Sequence, residues 1–311
     1  MSTKRFVLPC VTAFLVFFML GTHSYAEDGQ LPPCRLASIG DSIVEAIDAE
    51  VYGANHWASW ANGYHGFWQW LFGLSNVNSH NQRISATFRR DCRFRRKNFM
   101  EAESGADSSD LLQQAEGAVA HGATYVPWLM GHNDICQDDE SEIPTEGEFA
   151  SNVGAALNEL KKLPKGATIY VVGMVDVPSL YKVAEDKKAL GIVDCEVLWF
   201  FTLFELFPCG TILGPMRTND DRDRMRQRIM GGGGFEGFNR ILERLVERAG
   251  TEDPYRNYYY TDAVFAFSND LTFFTEDHVS DLDCFHPSAY GQSVLSDITW
   301  TAADGPGFQD W

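Results

Sequence analysis

The chain is short of positive charge and of long apolar runs. Its 25 Lys and Arg stand against 43 Asp and Glu, a formal charge of −18 at pH 7, so nucleic acid and anionic membrane surfaces are poor electrostatic partners. Beyond residue 20 no apolar run reaches the roughly 20 residues that a membrane-spanning helix needs. The seven cysteines form no Cys-x-x-Cys and no Cys/His run, which argues against zinc and leaves no metal or cofactor expected. Gly231 to Gly234 lacks the Gly-Lys-Ser/Thr ending of a phosphate loop. No Gly-x-Ser-x-Gly elbow, internal repeat or linker is present.

What is present begins with an export signal. Lys4 and Arg5, the apolar run Phe6 to Leu20 and Ser24-Tyr25-Ala26 have the three parts of a secretory signal peptide over residues 1–26. Cys10 lies inside the apolar run without the small-residue context of a lipoprotein. The expected mature chain, 27–311, starts near Glu27, carries about −20 once Lys4 and Arg5 are gone, and is secreted or periplasmic. It keeps six cysteines (Cys34, Cys92, Cys136, Cys195, Cys209, Cys284), an even number suited to an oxidising compartment. Spacing alone leaves their pairing open.

Strand-like and helix-like patterns alternate, which predicts a parallel sheet covered by helices. Strands are expected at Leu36–Ile39, at the end of the basic stretch Arg93–Met100, at Tyr125–Met130, at Ala167–Val177 and at Tyr258–Phe267. Helices are expected from Ser42 towards Glu50, from a Ser108 or Ser109 cap to Gly122, over Glu148–Leu163, over Phe235–Ala249 and over Ser288–Trp300. The acidic loop Asp138–Glu142 lacks the spacing of a calcium loop and reads as solvated. The aromatic insertion His56–Leu74 and the apolar stretch Leu198–Phe207 are candidates for an acyl-binding groove or a lipid-contacting lip; core filling is the plainer role for both.

Three polar clusters fall at the ends of apolar segments: Gly40-Asp41-Ser42, Gly131-His132-Asn133-Asp134 and Asp283-Cys284-Phe285-His286-Pro287. In open parallel sheets the ligand crevice lies beyond the carboxyl ends of the strands, so distant clusters converge there. A serine hydroxyl is a weak nucleophile without a base. His286 is placed to take its proton, and Asp283, three residues earlier, to hold the imidazole. A developing oxyanion needs donors, for which the backbone N–H groups of Ser42 and Gly105 and the Asn133 amide are candidates. Ser42 at a helix start also predicts help from the helix dipole. His80, His132 and His278 are assigned no role, and Asn133 has the alternative of bridging loops through hydrogen bonds.

Gly40-Asp41-Ser42, Gly105, Gly131-x-Asn133-Asp134 and Asp283-x-x-His286-Pro287 resemble the four blocks of the SGNH or GDSL hydrolases, in that family's order; the usual leucine after the serine is Ile43 here. The resemblance implies an α/β, three-layer α/β/α sandwich with a flavodoxin-like, mostly parallel sheet of about five strands. It further implies Ser42 as nucleophile, Asp283 and His286 as its partners, Ser42, Gly105 and Asn133 as oxyanion donors, and no metal. Trp128 to Cys136, the Phe207-Pro208-Cys209 region and Leu271 to Phe274 resemble the phospholipase B branch, which implies phospholipid or lysophospholipid acyl esters as substrates and transient contact with lipid surfaces. Carbohydrate O-acetyl esters, short-chain esters of broad range and a surface binding protein without turnover are the rival readings. Oligomeric state is not legible.

Overall fold

Apolar runs too continuous to expose either face make the central strands, and they lie where both faces are covered. The computed structural model of the chain describes residues 29–202, 209–214 and 216–311; the expected signal peptide lies outside them. In chain order, β1 (Arg35–Gly40) runs into the one-turn α1 (Ser42–Glu45), followed by α2 (Phe67–Leu71), α3 (His80–Thr87) and β2 (Lys97–Met100). Next come α4 (Leu111–Ala120), β3 (Tyr125–Leu129), α5 (His132–Ile135), α6 (Glu146–Leu160), β4 (Thr168–Val172) and α7 (Ser179–Ala189). The chain continues through α8 (Cys195–Thr202), α9 (Gly210–Leu213), α10 (Asn219–Met230), α11 (Phe238–Glu252), β5 (Asn257–Thr261), α12 (Ala263–Asn269) and α13 (Ala289–Thr301).

The five strands form one all-parallel sheet in the order β2-β1-β3-β4-β5. Alternation along each strand divides the core. Ala37, Ile39, Val126, Trp128, Ile169 and Val171 point to the face covered by α4, α6 and α11. Leu36, Tyr125, Leu129, Tyr170 and Val172 point to the other, against Trp60, Ile84 of α3 and Leu295 and Trp300 of α13. The result is the three-layer α/β/α sandwich.

Several boundaries differ from those the sequence pattern predicts. The helix expected from Ser42 towards Glu50 stops at Glu45, because Ala46 (φ 56°) and Asp48 (φ 50°) are left-handed and Asn55 ties the following turn through Glu50, Val51 and Gly53. Neither Ser108 nor Ser109 caps α4: both lie in a one-turn 3-10 helix, Ser108–Asp110, which is capped by Asp107 accepting from Ser109 N–H at 2.7 Å and leads into α4 at Asp110. A capping box between Thr145 and Glu148 starts α6 two residues early. The run expected as strand to Val177 leaves the sheet after Val172, and the strand expected to Phe267 ends at Thr261, where α12 follows within two residues. The apolar stretch from Leu198 begins inside α8, and its remainder lies partly outside the described residues.

The six cysteines pair as Cys34–Cys92, Cys136–Cys209 and Cys195–Cys284. The first crosses from the start of β1 to the segment before β2. The other two fasten the segments that follow β3 and precede α13.

Candidate active site

Ser42 stands where β1 turns into α1, and the turn is made by residues that fit nothing bulkier. Gly40 has φ +153°, and a Cβ there would sit 2.3 Å from Leu129 O and 2.5 Å from Val44 Cγ2. Asp41 caps α1 by accepting from Ile43 N–H at 2.9 Å. Two buried glutamines hold the turn from either side. Gln114 of α4 accepts from Gly40 N–H at 2.7 Å and donates to Gly40 O at 2.9 Å. Gln292 of α13 donates to Ile43 O at 2.8 Å and accepts from Trp60 N–H at 2.9 Å. Four residues of helix carry little dipole, so what the turn offers an anion is the Ser42 N–H, which as the first helical donor has no acceptor within α1.

Ser42 is buried, 6% exposed, and its hydroxyl donates to His286 Nε2 at 2.7 Å. His286 Nδ1–H donates to Asp283 Oδ2 at 2.5 Å. The other carboxylate oxygen of Asp283 accepts from the backbone N–H groups of Phe285 (2.9 Å) and His286 (3.1 Å), so the carboxylate is fixed before it meets the ring. The loop bearing this pair is held at many points. Ser280 N–H donates to His286 O and Ser280 Oγ to Asp48 O. Trp199 of α8 donates its indole N–H to Asp283 O at 3.0 Å, Lys187 of α7 pairs with Asp281, and Cys195 binds Cys284. Such tethering fixes donor and acceptor positions in advance, the condition under which proton transfer is fast.

Gly131, with φ +116° and room for no Cβ against Met174, turns the chain from β3 into α5. His132 Nε2 accepts from Val175 N–H at 3.1 Å, which puts the ring proton on Nδ1, donated to Asp41 Oδ2 at 2.7 Å. The Asn133 amide donates to Ala106 O at 2.7 Å, which is the loop-bridging alternative, and has a second hydrogen to offer. Asp134 accepts from Ser108 N–H at 2.9 Å, and Ser108 Oγ accepts from Asn152. Burial pushes the Asp134 carboxyl up to about 7, against the Ser108 hydrogen bonds. Gly105 lies exposed at φ +83° in the turn Glu103–Ala106, whose Glu103 N–H donates to Gly40 O at 3.2 Å. Ser42, His286 and Asp283 are thus in direct contact, while Gly105 and Asn133 are joined to them through the Glu103–Gly40 and Asn133–Ala106 bonds.

An apolar cavity of about 40 Å³ is walled by immediate neighbours of these residues, Ile43, His132, Phe285 and Pro287, together with Val177, Leu180 and Phe267. The stretches 56–74 and 198–207 are the ones expected to supply a groove or a lipid-contacting lip, and residues 203–207 lie outside those described. Among the described residues none of the lining belongs to either stretch. Trp60 is in the core, and Phe67, Trp68, Trp70 and Phe72 face solvent. Among the described residues no group of three or more His, Cys, Asp or Glu is placed to hold a metal ion.

The sequence reading passed over Gln114, Gln292 and His132. Each is a polar residue on an otherwise apolar face: Gln114 falls on the stripe of Leu111, Ala115 and Ala118, and a buried amide there has to bond to something. His80 is a structural counterpart on the opposite face of the sheet, bonded to Tyr125 Oη at 2.7 Å and Thr299 Oγ1 at 2.9 Å and pushed down to about 3 by burial.

The family model for GDSL-like lipase/acylhydrolase matches residues 36–298. Solved structures similar to this chain include a catalytic mutant of Axe2, an acetylxylan esterase from Geobacillus stearothermophilus (16% identity over 85% of this chain and 91% of that one, TM-score 0.47). Another is an extracellular lipase from Streptomyces rimosus (14% identity over 85% of this chain and 99% of that one, TM-score 0.39). No curated protein matches the chain.

Proposed function

The chain belongs to the GDSL-like lipase/acylhydrolase family and is a carboxylic ester hydrolase; from that premise we propose that it is a secreted enzyme cleaving acyl esters of phospholipids or lysophospholipids through an acyl-serine intermediate, as in the phospholipase B branch. Ser42 Oγ attacks the ester carbonyl carbon as its proton passes to His286 Nε2. Asp283 holds the ring and stabilises the imidazolium. The carbonyl oxygen, now an anion, is met by the Ser42 and Gly105 backbone N–H groups and the free Asn133 amide hydrogen. The imidazolium returns its proton to the departing alkoxide, leaving Ser42 acylated. Water then gives a proton to His286 as it attacks the acyl carbon, and the imidazolium passes that proton to Ser42 Oγ as the acyl–oxygen bond breaks, releasing the acid and restoring the hydroxyl.

The observation that carries this reading is the unbroken relay from Asp283 through His286 to Ser42, with contacts of 2.5 and 2.7 Å. An apolar cavity beside the relay supports the seating of the ester's acyl group there: its lining is almost entirely apolar, so a hydrocarbon group loses no hydrogen bonds in it. Three disulfides support an oxidising, extracytoplasmic setting. Among the described residues no helix is long and apolar enough to cross a membrane.

Acid release from a panel of phospholipids, lysophospholipids and acetylated sugars, by the protein and its Ser42→Ala form, tests both levels. Lipid esters hydrolysed only with Ser42 present are the expected result. Equal rates in the two forms would exclude the serine mechanism, and turnover confined to acetylated sugars would exclude the lipid reading.

A further inference from the structure

Between Glu50 and Arg83 there is no Asp, Glu, Lys or Arg, in a chain of which 22% is charged. At the tip of this stretch lies α2, and its neighbourhood is apolar in a way that costs solvation. Phe67, Trp68, Trp70, Leu71 and the following Phe72 are each between 50% and 70% exposed. The rings pack on one another, Phe67 against Trp68 at 5.3 Å and Trp68 against Phe72 at 6.2 Å, centroid to centroid. At about 100° per residue these five side chains spread over about 200° of the helix circumference. Only Gln69 faces the other way, half-buried, with its side chain bonded to Gly66 N–H at 3.1 Å. Exposed apolar surface this contiguous marks a contact site.

We propose that residues 67–72 are an interfacial anchor that dips into an uncharged lipid surface, one of zwitterionic headgroups. Three features select that occupant. An arc of about 200° is too wide for one flat protein face to cover, whereas a fluid acyl layer closes around it on all sides. Trp and Phe together are the side chains that favour the boundary between headgroups and hydrocarbon. The charge-free stretch meets no penalty at a neutral surface, while a protein of formal charge −18 is repelled by an anionic one, and by a second copy of itself. The anchor is also mechanically tied to the nucleophile turn. Trp60, in the same insertion, donates its backbone N–H to Gln292, the side chain that holds Ile43 O. The inference deepens the lipid-ester reading, and rests on it for the presence of substrate in such a surface.

The test separates binding from turnover. Ser42→Ala protein is sedimented with phosphatidylcholine vesicles and with phosphatidylglycerol vesicles, alongside a form also carrying Trp68→Ser, Trp70→Ser and Phe72→Ser. The expected result is binding to phosphatidylcholine with a blue shift of tryptophan emission, and at least a tenfold loss in the triple variant. In the Ser42 background the triple variant keeps its rate on a water-soluble short-chain ester within twofold, which reports that it is folded. No binding, equal binding by both forms, preference for phosphatidylglycerol, or a dimer in gel filtration that the triple variant dissolves would each overturn the proposal. Vesicle binding without hydrolysis of any lipid ester would sink the substrate reading and leave the anchor standing. Hydrolysis of micellar lysophospholipid without vesicle binding would do the reverse.

Discussion

Two Asp–His pairs lie beside Ser42, the proposed nucleophile, and they are chemically alike until the far side of each ring is considered. In both, an aspartate oxygen receives the Nδ1–H of the imidazole, at 2.7 Å for Asp41 with His132 and at 2.5 Å for Asp283 with His286. In both, the second oxygen accepts backbone N–H groups of residues just downstream. The difference is what Nε2 meets. For His132 it is the N–H of Val175, a donor that cannot give its proton away. For His286 it is the Ser42 hydroxyl. Burial follows the same division: the first pair is almost sealed, with side-chain exposures of 3% and 0%, and the second is open at 14% and 20%. An imidazole becomes a base through its second nitrogen; with that nitrogen occupied by a backbone amide it is a strut.

The largest expected effect separates the two pairs outright. His286→Ala should lower kcat on any ester by roughly 10⁴-fold or more, the scale seen when one member of such a relay is lost. Thermal stability should barely change, because the ring is partly open to solvent. Steady-state kinetics with a melting curve on the same sample reads both. A variant that keeps a tenth of the activity would show that the base lies elsewhere and that the distinction drawn on Nε2 is empty.

Asp134 extends the comparison to a buried carboxyl with no imidazole at all. It accepts from the Ser108 N–H and hydroxyl, and burial holds its folded value at about 7 against an ordinary 3.8. Between those values the folded protein keeps a proton that the unfolded chain has released. The slope of unfolding free energy with pH is therefore negative, and stability falls as pH rises from 4 to 7; below that range the group costs nothing, and above it the full penalty stands with no further slope. At about 1.4 kcal/mol per unit, the whole effect is on the order of 4 kcal/mol. Asp134→Asn keeps an oxygen for Ser108 and removes the titration. Relative to the parent, the variant should gain on the order of 3 kcal/mol between pH 4.5 and pH 8 in urea unfolding. The same difference at both pH values would mean that the carboxyl ionises freely, as if solvated.

How far these features were legible follows from where the information lies. Strands β1, β3 and β4 announce themselves because burial on both faces removes polar residues from the sequence itself, and Ser42, Asn133, Asp283 and His286 follow them or a sharp turn. The length of α1 was not legible: Ala46 and Asp48 are ordinary helix residues forced into left-handed backbone by contacts with Gly53 and Asn55. Nor was the end of β5, since Ala263-Val264-Phe265 is as apolar as a strand, and its helical form buries Val264 with Leu295 and Trp300 and Phe265 in the other core cluster. Gln114 and Gln292 carry their meaning in partners more than seventy and two hundred residues away, and no local pattern encodes that. The aromatic insertion was ambiguous for a related reason. Aromatic density marks both cores and exposed patches, and the insertion at 56–74 contains one of each, Trp60 inside and Trp68 outside.

The smallest effect is the one that most sharply probes the contrast between the pairs. His132→Gln removes a ring that bridges Asp41 to Val175, leaving a buried carboxylate oxygen and a buried N–H short of partners, a loss of about 1 to 3 kcal/mol in stability. Glutamine is long enough to restore one of the two bonds, so the lower half of that range is expected. Because the ring proton of His132 sits on Nδ1 and never faces substrate, kcat should fall less than tenfold, through slight displacement of the Ser42 turn. The acid limb of the pH–rate profile should not move. If that limb shifts, or if kcat drops with stability intact, then His132 exchanges protons with the reacting centre. The Val175 bond would in that case open during turnover, and both pairs would belong to the chemistry.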